Sequence, residues 1–255
     1  MKYKKLLVLI TCLLFFTVAV FCFAQAFKIT DVTLSSNTVE GSSEGLSSKC
    51  EEVLKKYEGK NLIFLNESEV KSELNSLSGY IEVVSVKKEF PNKLSVKISE
   101  RLEAFAIKNG NDYFVVDVDF NVLAKKSDVF NNVDGTENIL LNLSLSDYSD
   151  DLKVCSVLNV YDGKTATYLK NISSVLYSYR KDLASVTVTV KKDGREHKTL
   201  TLKMKEGVEF TIFKADQSTL QKLTATYQFY TALENKGVGE YITVLEDNGN
   251  ITIKQ

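Results

Sequence analysis

The chain has no tryptophan, one histidine, one proline and four cysteines in 255 residues, and these shortages exclude several kinds of chemistry. A histidine-based nucleophile, acid or base would have to use His197. That residue has odd parity beside even-numbered Leu200 and Leu202 and lies near Arg195 and Lys198, so alternation places it on the solvated face of an exposed hairpin. No CxxC pair or Cys/His cluster is present, which removes zinc. Cys12 and Cys22 fall inside an apolar run, where they act as small hydrophobes. Cys50 and Cys155 lie in separate regions and are expected as two buried thiols, not as a disulfide. The glycines are scattered at turns and helix ends instead of forming a phosphate cradle, and SxxK and GxSxG are missing.

Asp117, Asp119 and Asn121 imitate the opening of a calcium loop, with Asp128 at its twelfth place. Val122, however, occupies the sixth place, where the turn needs glycine, and the last ligand should be Glu. A strand-turn-strand corner fits better. Paired carboxylates for sugar cleavage have no positive support, their separation being a tertiary property. Setting aside Lys2, Lys4 and Lys5, 29 Lys and Arg face 33 Asp and Glu, about −4, without the basic face that nucleic acid requires. The residues therefore provide no catalytic set, no metal site and no cofactor site, and the expectation is a protein that is not an enzyme.

What is present begins with an uncharged run, Leu6 to Phe27, of 22 residues behind three lysines. As a helix it measures roughly 33 Å, enough to cross a bilayer. The Leu, Ile, Val and Phe of residues 6–26 favour insertion by roughly 4 to 8 kcal/mol, and the lysines place the amino end in the cytoplasm. Ala24-Gln25-Ala26 also fits a cleavage site, but the apolar core exceeds the usual 7 to 15 residues of a signal peptide, so an uncleaved anchor is expected.

The densest signal is Leu65 to Arg101. Asn66 can cap a helix, with Glu69 placed to reach back and Leu65 and Val70 as staple. Val70, Leu74 and Leu77 repeat at helical spacing, and Gly79 is read as the left-handed stop. The period then changes to two. Val84, Val86 and Phe90, then Leu94, Val96 and Ile98, put even-numbered residues inside on both strands of a hairpin. A three-residue loop, Pro91 to Lys93, would set Phe90 against Leu94 and Val86 against Ile98. Lys87 and Lys88 read as a solvated outer edge. Upstream, Phe27 to Ser35 reads as a strand and Ser35 to Gly45 as a loop. Leu46, Cys50, Val53, Leu54 and Tyr57 give one helical face that Gly59 ends. Two such helices can cover one face of a three-stranded sheet.

Beyond Leu102 the pattern is mainly β. Strands are expected at Tyr113 to Val118, Asn121 to Ala124 and Asn138 to Leu145, and a short helix at Thr165 to Ile172. Val186, Val188 and Val190 alternate, as do Leu200, Leu202 and Met204, around a Lys192-Asp193-Gly194 loop. A helix capped by Asp216 runs to Asn235, with Leu220, Leu223, Tyr227 and Tyr230 inside and Gly237 at its end. Tyr241 to Leu245, an Asn248-Gly249 turn and Ile251 to Lys254 close the chain.

The order of apolar helix, FKITDVTLSS, two short helices, GKNLIFLNESEV, a hairpin with FPNKLSVKISER and then YFVVDVDFNVL resembles the bacterial division proteins FtsQ/DivIB. The likeness is good over roughly residues 5–125 and loose beyond. Its most specific pieces are Gly59-Lys60-Asn61, Phe90-Pro91-Asn92-Lys93-Leu94 and Glu100-Arg101. The chain departs from the family where Glu103 replaces a usual proline and where Phe120 or Asn121 replaces a usual glycine.

The resemblance implies an α+β protein in four parts: a cytoplasmic tail (1–5), a transmembrane helix (6–26), a POTRA domain of order β-α-α-β-β (27–101), and an extracytoplasmic β-rich domain with a C-terminal helix and hairpin (102–255). It implies a single-pass protein of the cell membrane at the division septum. Its partners would be FtsB/DivIC-like and FtsL-like proteins, in a complex that controls the septal peptidoglycan synthase. The docking surface would be the final hairpin, taken as a region: Tyr241, Ile242, Thr243, Val244, Leu245, Ile251, Thr252, Ile253 and Lys254. The last strand has no following chain to cover its edge, and an open edge can accept a partner strand. Two rival readings are an envelope hydrolase or ligand-binding protein, and a POTRA-bearing secretion accessory. The second is weakened by the lack of a repeated module or a barrel.

Overall fold

The computed structural model describes residues 2–37, 45–131, 135–144, 151–159, 163–193, 195–237, 239–245 and 249–255. These fall into two units, Met1–Glu100 and Arg101–Gln255.

In the first unit, helix α1 (Lys2–Ala26) contains a stretch, Leu7–Ala26, long and apolar enough to cross a bilayer. Its apolar side chains point outward on all sides, a pattern that water does not tolerate and lipid does. Strand β1 (Asp31–Asn37), helices α2 (Leu46–Lys55) and α3 (Glu67–Ser76), and strands β2 (Ile81–Glu89) and β3 (Lys93–Glu100) follow in the anticipated order. The sheet order is β1-β3-β2, with β1 parallel and β2 antiparallel to the central β3. All five apolar residues assigned to the first of these helices are buried: Leu46, Cys50, Val53, Leu54 and, just past α2, Tyr57. Burial pushes the Cys50 thiol pKa up. Gly59 has φ +79°, the conformation expected of it. Tyr57 donates to Glu73 Oε2 at 2.5 Å, tying α2 to α3.

The hairpin differs from expectation. Its loop is Phe90-Pro91-Asn92, with a cis Phe90–Pro91 bond, so Glu89 pairs with Lys93, Lys88 with Leu94 and Val86 with Val96. A bulge at Val84 then reverses the parity, and Ile81 and Val83 are the buried residues while Val84 and Phe90 are exposed. An extra residue on one strand is something a strict period of two cannot reveal. Lys88 consequently lies on the inner face and donates to the Ile63 carbonyl at 3.2 Å. Helix α3 ends at Ser76 with a right-handed Leu77, so Gly79 does not supply the left-handed stop.

The second unit is a nine-stranded sheet. Its strands are β4 (Phe105–Asn109), β5 (Asp112–Val116), β6 (Val122–Lys126), β7 (Ile139–Ser144), β8 (Leu183–Asp193), β9 (Arg195–Met204), β10 (Glu209–Ile212), β11 (Glu240–Leu245) and β12 (Ile251–Lys254), ordered β12-β11-β10-β9-β8-β7-β4-β5-β6. Helix α4 (Gly163–Ser178), longer than the turn or two expected, connects the parallel neighbours β7 and β8. Helix α5 (Thr219–Ala232) connects the parallel pair β10 and β11. Leu169, Ile172 and Leu176 of α4 and Leu223 and Tyr230 of α5 share one core with Val186, Val188, Leu200, Leu202, Phe210 and Ile212 of the sheet.

Four expectations change here. His197 is buried, with its ring edge-on to Phe213 at 4.7 Å, because the chain from Phe213 to Ala215 returns over this part of β9. Cys155 is exposed at φ +64°, and no disulfide links it to Cys50. Strands β8 and β9 run through Asp193 and from Arg195, so Lys192 and Asp193 are strand residues, and Gly194 lies outside the described residues. Asp216 does not cap α5, whose N-cap position is Ser218. Leu220 is exposed, Lys222 takes a place in the buried stripe, and the helix stops at Ala232 short of Gly237.

Candidate partner-binding site

Among the described residues no group of three or more His, Cys, Asp or Glu is arranged to hold a metal. The Asp117-to-Asn121 segment closes on itself. Asp117 Oδ1 accepts from the amides of Asp119 (3.0 Å) and Asn121 (2.8 Å), Oδ2 accepts from the Asn121 side chain (2.7 Å), and Arg101 Nε lies at 3.3 Å. Burial pushes the Asp117 pKa up against the lowering pull of these donors and of Arg101. This is the strand-turn-strand corner read from the sequence. A groove of about 180 Å³ between β1 and α2, lined by Val32, Leu34, Glu51, Leu54, Lys55 and Glu58, is below the roughly 300 Å³ at which small-molecule sites begin.

The final hairpin is built as an antiparallel pair, with Ile242 opposite Lys254, Thr243 opposite Ile253, Val244 opposite Thr252 and Leu245 opposite Ile251. Gly249 is left-handed at φ +83°, and Asn248 lies outside the described residues. On its other side β11 pairs with β10, so β11 is interior to the sheet and β12 is its last strand. The nine candidate residues therefore separate by parity. Tyr241 stacks on Phe210 (5.4 Å) and meets Phe229 edge-on (5.2 Å). Thr243 is fully buried, its hydroxyl 2.9 Å from that of Thr226 on α5. Ile253 packs on the same core. Ile242, 50% exposed, Val244, Thr252 and Lys254 lie on the opposite face.

Three residues behind the hairpin were not legible as part of it. Thr226 and Phe229 belong to α5 and meet β11 only through the tertiary fold. Gly239, at φ +143°, would place any Cβ 2.7 Å from the Tyr241 ring, while its carbonyl accepts from Glu209. The hairpin is thus seated on one face by α5 and joined along one edge to β10. The outer edge of β12 carries no strand among the described residues.

Residues 35–101 match the POTRA domain of the FtsQ type. The chain is 28% identical over 125 residues to the cell division protein DivIB of Clostridium botulinum strain Hall, covering 49% of this chain and 46% of that protein. It is 26% identical over 125 residues, with the same coverage, to the DivIB of Clostridium botulinum strain Loch Maree. It is 32% identical over 79 residues to the DivIB of Clostridium acetobutylicum, 31% of either chain. The match spans about half the length of the first two of these relatives.

Proposed function

From a chain that belongs to the FtsQ/DivIB family, with relatives named as cell division proteins, we propose a non-enzymatic division protein that works by holding partners. It is anchored by α1 as a single-pass membrane protein with its amino terminus in the cytoplasm. Residues 27–101 form the POTRA domain and 102–255 the β domain, both outside the membrane at the division septum. An FtsB/DivIC-like partner adds a strand to β12. With an FtsL-like protein the assembly is linked to the septal peptidoglycan synthase complex.

The observation that carries this reading is the edge of β12, which no strand covers among the described residues, at the end of a nine-stranded sheet and on a hairpin whose inner face is fixed by the Thr226–Thr243 contact and the Phe210, Phe229 and Tyr241 rings. A fixed edge strand offers main-chain bonds to an added strand, and the outward Ile242, Val244 and Thr252 supply the alternate side chains that set register. Deletion of Asn250 to Gln255 is expected to abolish capture of the DivIC-like partner while the ectodomain keeps its cooperative unfolding. Ile242→Glu, which leaves the backbone pairing in place, is expected to weaken capture by about 10-fold. Unchanged capture by both proteins would remove the strand-addition mechanism.

A further inference from the structure

Two loops of the first unit close around the carboxyl end of α1. The Asn61 side chain donates to the Ala24 carbonyl at 3.3 Å, and the Leu62 amide donates to the Phe27 carbonyl at 2.7 Å. On the other side the hairpin loop returns to the same segment, with the Thr30 amide donating to the Asn92 carbonyl at 3.0 Å and the Asn92 side chain to the Thr30 hydroxyl at 2.6 Å. Lys88 joins the two loops through the Ile63 carbonyl.

Each loop leaves a phenylalanine in solvent, Phe64 at 85% exposure and Phe90 at 61%. Neither fills a gap in the core. Phe90 instead continues a chain of aromatic contacts into the apolar helix, its ring 5.9 Å from that of Phe27, which is 4.6 Å from Phe23. Lys28 and Lys60 are exposed beside these loops. A large apolar side chain held out of the core next to the end of a membrane-length helix is stabilised if it enters lipid, and adjacent lysines can reach headgroup phosphates while their stems stay in the apolar layer.

We propose that Phe64 and Phe90 are interfacial anchors: the two loops rest on the outer leaflet and their rings lie at the boundary of headgroups and acyl chains, with Lys28 and Lys60 at headgroup phosphates. The partner is the phospholipid surface itself. The proposal rests on the reading of α1 as a membrane span. It adds that the POTRA domain is seated on the bilayer at three points, α1 and the two rings, rather than swinging from the helix.

The absence of tryptophan makes the test direct, since any introduced tryptophan reports alone. Full-length Phe64→Trp, Phe90→Trp, Leu14→Trp and Val84→Trp proteins are reconstituted into nanodiscs of phosphatidylcholine and phosphatidylglycerol, with and without bromine on the upper acyl carbons. Val84 is exposed and lies about 20 Å along the strand from Phe90, out of reach of the leaflet. Brominated lipid is expected to quench Phe64→Trp and Phe90→Trp about two-fold or more, with ring positions about 5–10 Å into the interface, and to leave Val84→Trp nearly unchanged. Quenching of Leu14→Trp with Phe64→Trp and Phe90→Trp both behaving like Val84→Trp overturns the interfacial contact while keeping the span. Quenching of one ring alone overturns the seating by two loops. An unquenched Leu14→Trp overturns the span and the contact that depends on it.

Discussion

Helix α3 and helix α5 begin in opposite ways. At α3 the Asn66 backbone is extended and its side chain accepts from the Ser68 amide at 3.0 Å, a bond made within three residues of chain. At α5 Ser218 is left-handed at φ +49° and its hydroxyl caps nothing. That helix is held at its start from a distance. Lys222 is buried and donates to the carbonyls of Phe213 and Lys214, both at 2.9 Å, the Thr219 hydroxyl donates to Ala215, and Ala215 donates to Lys198 on β9 at 2.6 Å. The first helix is specified by adjacent residues, the second by the sheet it closes over. That sheet includes β11, so the seat of the candidate hairpin depends on long-range contacts.

The comparison is broken most directly at Lys222. Burial lowers its pKa, so the folded state carries the ammonium at a cost, yet Lys222→Ala removes the ammonium from the Phe213 carbonyl, leaves the Lys214 carbonyl with the Gln217 amide, and opens a cavity. The expected loss is about 3 kcal/mol in urea unfolding of the full chain in detergent micelles, with faster amide exchange across α5 and β11. A loss below about 0.5 kcal/mol would show that α5 is held by its own sequence after all. Asn66→Ala is expected to cost about 1 kcal/mol, with faster exchange confined to the first turn of α3. At the matching position of α5 the sign reverses. Ser218→Gly removes a left-handed serine without removing a cap, and is expected to gain about 0.5–1 kcal/mol.

The same division explains what could be read in advance. The β-α-α-β-β order, the Asn66 cap and the buried face of α2 rest on neighbouring residues, and all were legible. The hairpin register was not, because the Val84 bulge leaves no mark in an alternating string. The two departures from the pattern of the FtsQ/DivIB proteins, at Glu103 and at Phe120 or Asn121, fall where the fold makes its own contacts. Glu103 is a buried carboxylate with both oxygens 2.8 Å from Lys126 Nζ and a further bond from Asn138 at 2.7 Å. Phe120 occupies a left-handed position, φ +62°, where glycine would be unstrained, and stacks on Phe105 at 5.8 Å. Neither partner is near in sequence, so the fit appears only in the fold. In the candidate hairpin, the two strands were accessible from the sequence but their register was not: a two-residue Asn248-Gly249 turn would set Leu245 against Thr252, whereas Leu245 lies opposite Ile251. The division into a seated face and an outward face was not accessible either, because it is made by α5.

The smallest effect tests that seating at its far end. Tyr227 of α5 donates to Asp182 Oδ2 at 2.5 Å and stacks on Tyr179 with ring centroids 3.8 Å apart. The bond to the Asp182 carboxylate, and then burial, push the phenol from 10.0 up to about 12. A phenol whose pKa is raised on folding contributes stability that is full below pH 10 and is lost as the pH climbs toward 12. Tyr227→Phe removes that contribution, so the variant is less stable than the parent at pH 8, and the gap should narrow between pH 10 and 12 in paired urea titrations. Lys222 and Tyr168 also titrate abnormally but are common to both proteins and cancel in the difference. Curves that stay parallel to pH 12 would mean that the Asp182 bond does not hold α5. The seat of β11 would then rest on the packing of Leu223, Phe229 and Tyr230, on the Thr226–Thr243 contact and on Lys222.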